Sequence, residues 1–256
     1  AAVSGGFSLG FGIPFGGTAA QAADVPEVNA WVVVKPDDTV VIRIARSEMG
    51  QGTLTGLAQL VAGELECDWS KVTTEYPTPG QNLARGRVWK NYSTGGSRGI
   101  RESHDYVRQG GAAAREMLVQ AAAKEGNVPA AECSAANSVI THKGSGKTTT
   151  YGKVAAAAAK IEPPKEVKLK DPKDWKIAGK GLKRLDTKDK LTGAQLYGID
   201  LKLPGMLVAT IRDTPVNGGK LKSFDASRVE KMPGVKKVVQ VENAVAVVAK
   251  IGRAHV

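Results

Sequence analysis

Thr39-Val40-Val41-Ile42-Arg43-Ile44-Ala45-Arg46-Ser47-Glu48-Met49-Gly50-Gln51-Gly52-Thr53 is the stretch from which the fold is read. A β-branched, mostly apolar run predicts a strand. The strand enters a turn with glycines at Gly50 and Gly52, and the turn opens onto Leu54 to Leu65, a helical stretch. Glycine permits φ > 0 and lets a ligand approach the backbone with no side chain in the way. The N–H groups that begin a helix lack intrahelical partners and sit at the positive end of its dipole. Strand, glycine turn and helix together therefore suit an anion such as a phosphate, or equally a tight turn with no ligand. Gln51, between the glycines, offers a donor and an acceptor.

Outward from this turn, Val28 to Lys35 and Thr39 to Ala45 read as a hairpin around Pro36-Asp37-Asp38. Thr53 to Glu66 carries an apolar stripe at Leu57, Leu60, Val61 and Leu65. A strand is expected at Val72 to Tyr76 and a long loop from Pro77 to Asn91. A long helix is expected from Gly99 to Lys124, weakened by Gly110-Gly111. A short helix is expected from Val128, a hairpin around Gly144-Ser145-Gly146, and an alanine helix from Tyr151 to Lys160. Residues 161–190 are charged, proline-bearing and poor in apolar side chains, and read as an extended linker between domains. A second unit of α+β character follows, with strands at Gly205 to Arg212, Val235 to Val241 and Ala244 to Ala249. Its expected helix is Ala226 to Lys231, and its all-small last strand is expected to be buried.

The chain has 256 residues, 42% hydrophobic and 24% charged, which suits one or two globular domains with a sizeable core. Its net charge of +11 invites a nucleic-acid reading. The lysines are scattered, however, densest in residues 165–190, with no basic stripe interleaved with aromatics; no nucleic acid is expected. Cys67 and Cys133 are too few for an iron–sulfur cluster. They read as small core residues, with pairing left open. His104, His142 and His255 lack metal-ligand spacing, so no metal-ligating and no catalytic residue is assigned.

Glu48-Met49-Gly50-Gln51-Gly52 resembles the cofactor motif of molybdenum hydroxylase large subunits, the xanthine oxidase and aldehyde oxidoreductase family. Ser93-Thr94-Gly95-Gly96-Ser97 resembles a second small-residue loop of that family. Leu191-Thr192-Gly193-Ala194, Tyr197-Gly198-Ile199-Asp200, Leu203-Pro204-Gly205-Met206-Leu207, Ser223-Phe224-Asp225 and Pro233-Gly234-Val235 resemble its a/b hammerhead domain. In xanthine oxidase-like chains the hammerhead comes first. Here it follows the glycine motif, a permuted order similar to isoquinoline 1-oxidoreductase beta subunits and bacterial membrane-associated aldehyde dehydrogenases.

The resemblance implies an α+β chain: a partial molybdopterin-binding domain over residues 24–160, the linker 161–190, and a hammerhead-like domain over 191–250. It implies a molybdenum–molybdopterin cofactor, in the cytosine dinucleotide form, contacted by Gly50, Gln51, Gly52, Gly95, Gly96 and Ser97. Glu48 and Met49 are expected to be buried structural members of the motif. Arg98 and Arg101 face either the phosphate arm or an exposed helix face, and Arg85 and Arg87 are expected to be solvated. The implied reaction is hydroxylation of an aldehyde or an N-heterocyclic carbon with water-derived oxygen. Electrons would pass to a small subunit carrying 2Fe–2S clusters and on to an acceptor such as cytochrome c. The family's catalytic glutamate and a further glycine-rich loop belong to a C-terminal part of the full subunit. The competing readings are a periplasmic ligand-binding or assembly module of similar fold and another xanthine dehydrogenase-family or carbon monoxide dehydrogenase subunit.

Residues 1–23 read as the remnant of a twin-arginine signal peptide, glycine-rich and weakly apolar, with Ala20-Gln21-Ala22 fitting small-x-small cleavage. Its charged start is missing, so the sequence is expected to begin within a longer one. Export in the folded state to the periplasm, with possible membrane association but no spanning segment, is the expectation. The last six residues, Ile251-Gly252-Arg253-Ala254-His255-Val256, match an in-frame translation of a common sequencing adapter and are expected to be foreign to the fold.

Overall fold

The β-branched runs on either side of Pro36 do form strands. The computed structural model describes residues 26–250; the targeting-segment and adapter readings lie outside them. The chain divides into two units, one ending at Leu191 and the other starting at Thr192. Helices and strands both contribute, so the α+β expectation holds.

The first unit opens with β1 (Glu27–Asn29), β2 (Val32–Val34) and β3 (Val40–Arg43). The single expected strand from Val28 to Lys35 is in fact two. The Asn29 carboxamide oxygen accepts from the N–H groups of Trp31 at 2.9 Å and Val32 at 3.0 Å, which turns the chain back on itself. α1 (Thr53–Leu65) then carries the chain to β4 (Val72–Glu75), which pairs parallel to β3 and gives the order β1-β2-β3-β4. A parallel pair needs such a crossover. The expected loop from Pro77 contains α2 (Pro79–Ala84), started by a reciprocal Thr78–Gln81 capping box.

The long helix expected from Gly99 is broken into α3 (Arg98–Arg101) and α4 (His104–Gly126). At the break the buried Ser103 hydroxyl receives hydrogen bonds from Arg46 Nε at 2.8 Å and Tyr106 Oη at 2.7 Å. Gly110 and Gly111 are where α4 meets its neighbours most closely. A Cβ on Gly110 would lie 2.6 Å from the Trp31 ring, and one on Gly111 would lie 2.4 Å from the Val61 carbonyl oxygen of α1. Here the glycines permit close packing that outweighs their poor helix propensity.

β5 (Cys133–Ala136), β6 (Val139–His142) and β7 (Thr148–Thr150) form a small antiparallel sheet in that order, and α5 (Tyr151–Ala158) follows. The hairpin and alanine helix were expected; β5 was not. Tyr151 anchors α5 by donating to the Leu65 carbonyl at 2.6 Å. The core of the unit joins β1–β3, α1, α4 and α5 and includes Ile42, Leu57, Leu65, Met117, Leu118 and Tyr151.

Residues 161–190 are largely irregular, ending in α6 (Thr187–Thr192), and they lie against the first unit. Glu64, 1% exposed, accepts from Arg108 at 2.6 and 2.8 Å and from the Lys170 N–H at 3.2 Å. Ala178 is buried beside Gly63, and Trp175 lies 5.1 Å from the Arg108 guanidinium. The anchoring of this segment was not legible in its composition.

In the second unit β8 (Val208–Arg212), β9 (Val235–Val241) and β10 (Ala244–Ala249) form an antiparallel sheet with β10 in the centre. Ala244, Ala246 and Ala249 are buried, but Val245, Val247 and Val248 are only half-buried, so β10 is not buried along its whole length. The helix expected from Ala226 to Lys231 is a set of turns. Six residues barely nucleate a helix, and Asp225 takes the Ser227 N–H at 2.9 Å.

Both cysteines are free thiols. Burial pushes the Cys67 thiol up to about 12, whereas Cys133 is half-buried. Alkylation of the folded chain should therefore modify Cys133 quickly and reach Cys67 only on unfolding. Equal rates at both, followed by peptide mapping, would contradict this placement.

Candidate functional site

β3 delivers the chain to Arg46, which is 2% exposed and ties three segments together. Its guanidinium donates to the Ser93 carbonyl at 2.5 Å, to Ser103 at 2.8 Å, and to Glu102 at 3.3 Å. The Ser47 N–H donates to the Tyr92 carbonyl at 2.9 Å. The two glycine loops, 45 residues apart at this bond, are thus set side by side. α3 completes the join: a Cβ on Gly99 would lie 2.8 Å from Thr53 Oγ1 at the start of α1. Arg46 is a site-building residue that the sequence reading missed. Its signal was a lone arginine directly after a buried apolar run.

The first loop is organised by its own side chains. Glu48 Oε1 accepts from the N–H groups of Gly50 at 2.7 Å and Gly52 at 2.9 Å, and Oε2 accepts from Leu54 at 2.9 Å. Three of the N–H groups expected here for an anion, those of Gly50, Gly52 and Leu54, are therefore already served by a carboxylate, because Glu48 folds back onto the helix start. Gln51 accepts from the Met49 N–H at 2.6 Å and donates to the Ser47 carbonyl and Thr53 Oγ1 at 2.9 Å each. The Glu48 side chain is 7% exposed, in keeping with a structural member of the motif. Met49 is 74% exposed, a correction: the turn spends its inward direction on Glu48 and leaves the thioether outside.

The second loop is a single tight turn, Gly95–Ser97, with Gly96 at φ 67° and Ser97 at φ 57°. Arg98 and Arg101 curl back onto it, donating to the carbonyls of Gly95 at 2.8 Å and Gly96 at 3.3 Å. Arg85 is exposed, as expected, and there pairs with Glu27 and lies 5.3 Å over the Trp89 ring.

Gly50, Gln51, Gly95, Gly96 and Ser97 are all exposed, and Gly52 is half-buried. A Cβ on Gly50 or Gly96 would meet no atom within 4 Å. The site is an open shelf of backbone edged by Gln51, Ser97, Arg98 and Arg101. Among the described residues no cluster of three or more His, Cys, Asp or Glu is placed to hold a metal ion. Exposed glycine backbone beside Gln51 and Ser97 suits a group that needs close backbone approach.

Burial of Glu48 works to raise its pKa, but the N–H groups of Gly52, Leu54 and Gly50, aided by Arg184, outweigh it and hold the carboxyl below its ordinary 4.5. A carboxyl depressed in the fold stabilises it above the unfolded value and loses that contribution as pH falls through the folded one. Protection of the Gly52 and Leu54 amides should stay constant from neutral pH down to 4.5 and fall only below it. Exchange that accelerates, beyond the intrinsic rate, in the neutral range would contradict the cap.

Residues 3–198 match the family model of the molybdopterin cofactor-binding domain. Isoquinoline 1-oxidoreductase subunit beta of Brevundimonas diminuta is 29% identical over 93% of this chain and 36% of its own length. A membrane-bound aldehyde dehydrogenase (pyrroloquinoline-quinone) of Gluconacetobacter polyoxogenes is 30% identical over 92% of this chain and 32% of its own. The chain thus spans about a third of the length of these two relatives. Among solved structures, quinoline 2-oxidoreductase from Pseudomonas putida 86 aligns with 49% of this chain and 15% of its own, at 21% identity and TM-score 0.39.

Proposed function

The chain belongs to the molybdopterin cofactor-binding domain family, and from that premise we propose that it is the cofactor-contacting part of a molybdenum hydroxylase large subunit. The observation that carries the proposal is the pairing of two exposed glycine turns on one shelf, at 48–52 and 95–97, joined by Arg46. When bound, the molybdenum cofactor supplies two-electron redox chemistry and hydroxylation with water-derived oxygen. The residues of this chain hold and orient it. Gly50, Gly52, Gly95 and Gly96 offer backbone with no side chain in the way, and Gln51 and Ser97 offer polar contacts. Arg98 and Arg101 place positive charge at the rim. With the Leu54 N–H of α1 occupied by Glu48, the charged phosphate contacts come from these rim residues. Residues 191–250 form the hammerhead-like part.

The substrate class proposed is an aldehyde or an N-heterocycle, and the electron route a small 2Fe–2S subunit with a cytochrome c acceptor. The cofactor form proposed is the cytosine dinucleotide, and the location is the periplasm after folded export. The test is metal and cofactor analysis of the full-length subunit co-expressed with its iron–sulfur partner. Stoichiometric molybdenum, with turnover of an aldehyde or isoquinoline, supports the reading. A loaded, active subunit that carries pyrroloquinoline quinone and no molybdenum would overturn it.

A further inference from the structure

We infer that Arg184 is a positioning residue that clasps the first glycine turn from outside. Its Nη1 donates to the Gly50 carbonyl at 2.7 Å, and its Nη2 reaches Glu48 Oε1 at 3.2 Å, the same oxygen that caps Gly50 and Gly52. The guanidinium is itself held. Nε and Nη2 donate to the two Asp186 oxygens at 2.9 and 2.8 Å, and Lys190 approaches Asp186 at 2.6 Å. The neighbouring Leu185 N–H donates to Thr55 Oγ1 at 3.1 Å, which seats this segment on the first turn of α1. Contacts spanning 134 residues thus close over the turn.

The physical need for a clasp is plain. Gly50 at φ 103° and Gly52 at φ 91° leave the turn many conformations to lose, and no side chain on either glycine can pack to fix it. Glu48 and Gln51 order the turn from within. A bidentate Arg–carboxylate pair is a stiff, pre-aimed donor that fixes the outer carbonyl as well. Asp186 is 8% exposed at its side chain, so the pair is partly sheltered from competing water.

The clasp stands on these contacts alone; only its consequence for cofactor loading rests on the proposed function. The test is amide hydrogen exchange on the 256-residue chain, resolved at Gly50, Gly52 and Leu54, for wild type, Arg184→Ala and Arg184→Lys. Arg184→Ala should speed exchange at these amides about tenfold, as expected on losing a charge-assisted hydrogen bond, while β2, β3 and α4 keep their protection. Arg184→Lys, which keeps one donor, should fall between. Unchanged exchange at the turn would overturn the inference, and so would an equal rise throughout the first unit. The full-length subunit carrying Arg184→Ala should contain several-fold less molybdenum. Faster turn exchange with full molybdenum would leave the clasp standing and count against the cofactor assignment of the turn.

Discussion

Arg108→Ala should destabilise the first unit by about 3–5 kcal/mol, the cost of leaving a buried charge without its partner. Glu64 is 1% exposed, and the Arg108 guanidinium meets its Oε1 with Nη2 at 2.6 Å and Nε at 2.8 Å. The same guanidinium donates to the Lys170 carbonyl at 2.6 Å and lies over Trp175. Its removal therefore also loosens residues 161–190. All 4 tryptophans, Trp31, Trp69, Trp89 and Trp175, lie in the first unit, so their fluorescence in urea reports on it alone. Replacing both members, Glu64→Leu with Arg108→Leu, should recover most of the loss, because the charge and its desolvation go together. A loss under about 1 kcal/mol for Arg108→Ala would show that Glu64 is not a buried charge that depends on Arg108.

Gly111→Ala should also be costly, and its sign is the diagnostic. In an exposed helix interior the change would stabilise by about 1 kcal/mol. Here the new Cβ would stand 2.4 Å from the Val61 carbonyl oxygen and 3.1 Å from the Val61 Cα. Backbone cannot swing aside as a side chain can, so α1 and α4 must separate. The expected loss is about 3 kcal/mol, at the upper end for overpacking. Gly126→Ala, whose Cβ would meet only Val128 Cγ2 at 3.6 Å, is the matched control on the same helix. Equal or greater stability for Gly111→Ala would mean that the helices do not cross as closely as described.

The parts of the fold that were legible are those set by local pattern. β3, the glycine turn and α1 follow from a β-branched run, two glycines and an apolar stripe within residues 39–65. The parts that were hidden depend on partners far along the chain. Glu48 reads as one acidic residue in a motif, and only the folded turn shows its oxygens serving Gly50, Gly52 and Leu54. Residues 161–190 read as a solvated linker because they are charged. Yet Lys170 and Arg184 reach groups 106 and 136 residues away, at Glu64 and Glu48. The Gly110-Gly111 pair looked like a weak point in a helix and is its tightest contact. α2 was the avoidable miss, since Thr78-Pro79-Gly80-Gln81 carries both a capping box and a proline at the first helical position.

The central claim is that the two glycine turns face the molybdenum cofactor, and the molybdenum content of the full-length subunit tests it most directly. Three variants are compared: Gly96→Val, Gln51→Ala and Lys173→Ala. A Cβ at Gly96 meets no protein atom within 4 Å, and a side chain at φ 67° adds backbone strain of at least about 1–2 kcal/mol. Gln51→Ala removes hydrogen bonds that order the turn, at about 1–3 kcal/mol. Lys173 is 76% exposed beside Asp171 and serves as the control. The account predicts almost no molybdenum in Gly96→Val, a reduced content in Gln51→Ala and a full content in Lys173→Ala, all with unchanged circular dichroism. Full molybdenum and full activity in Gly96→Val would contradict it, and the shelf would then be a feature of the fold with no part in holding the cofactor.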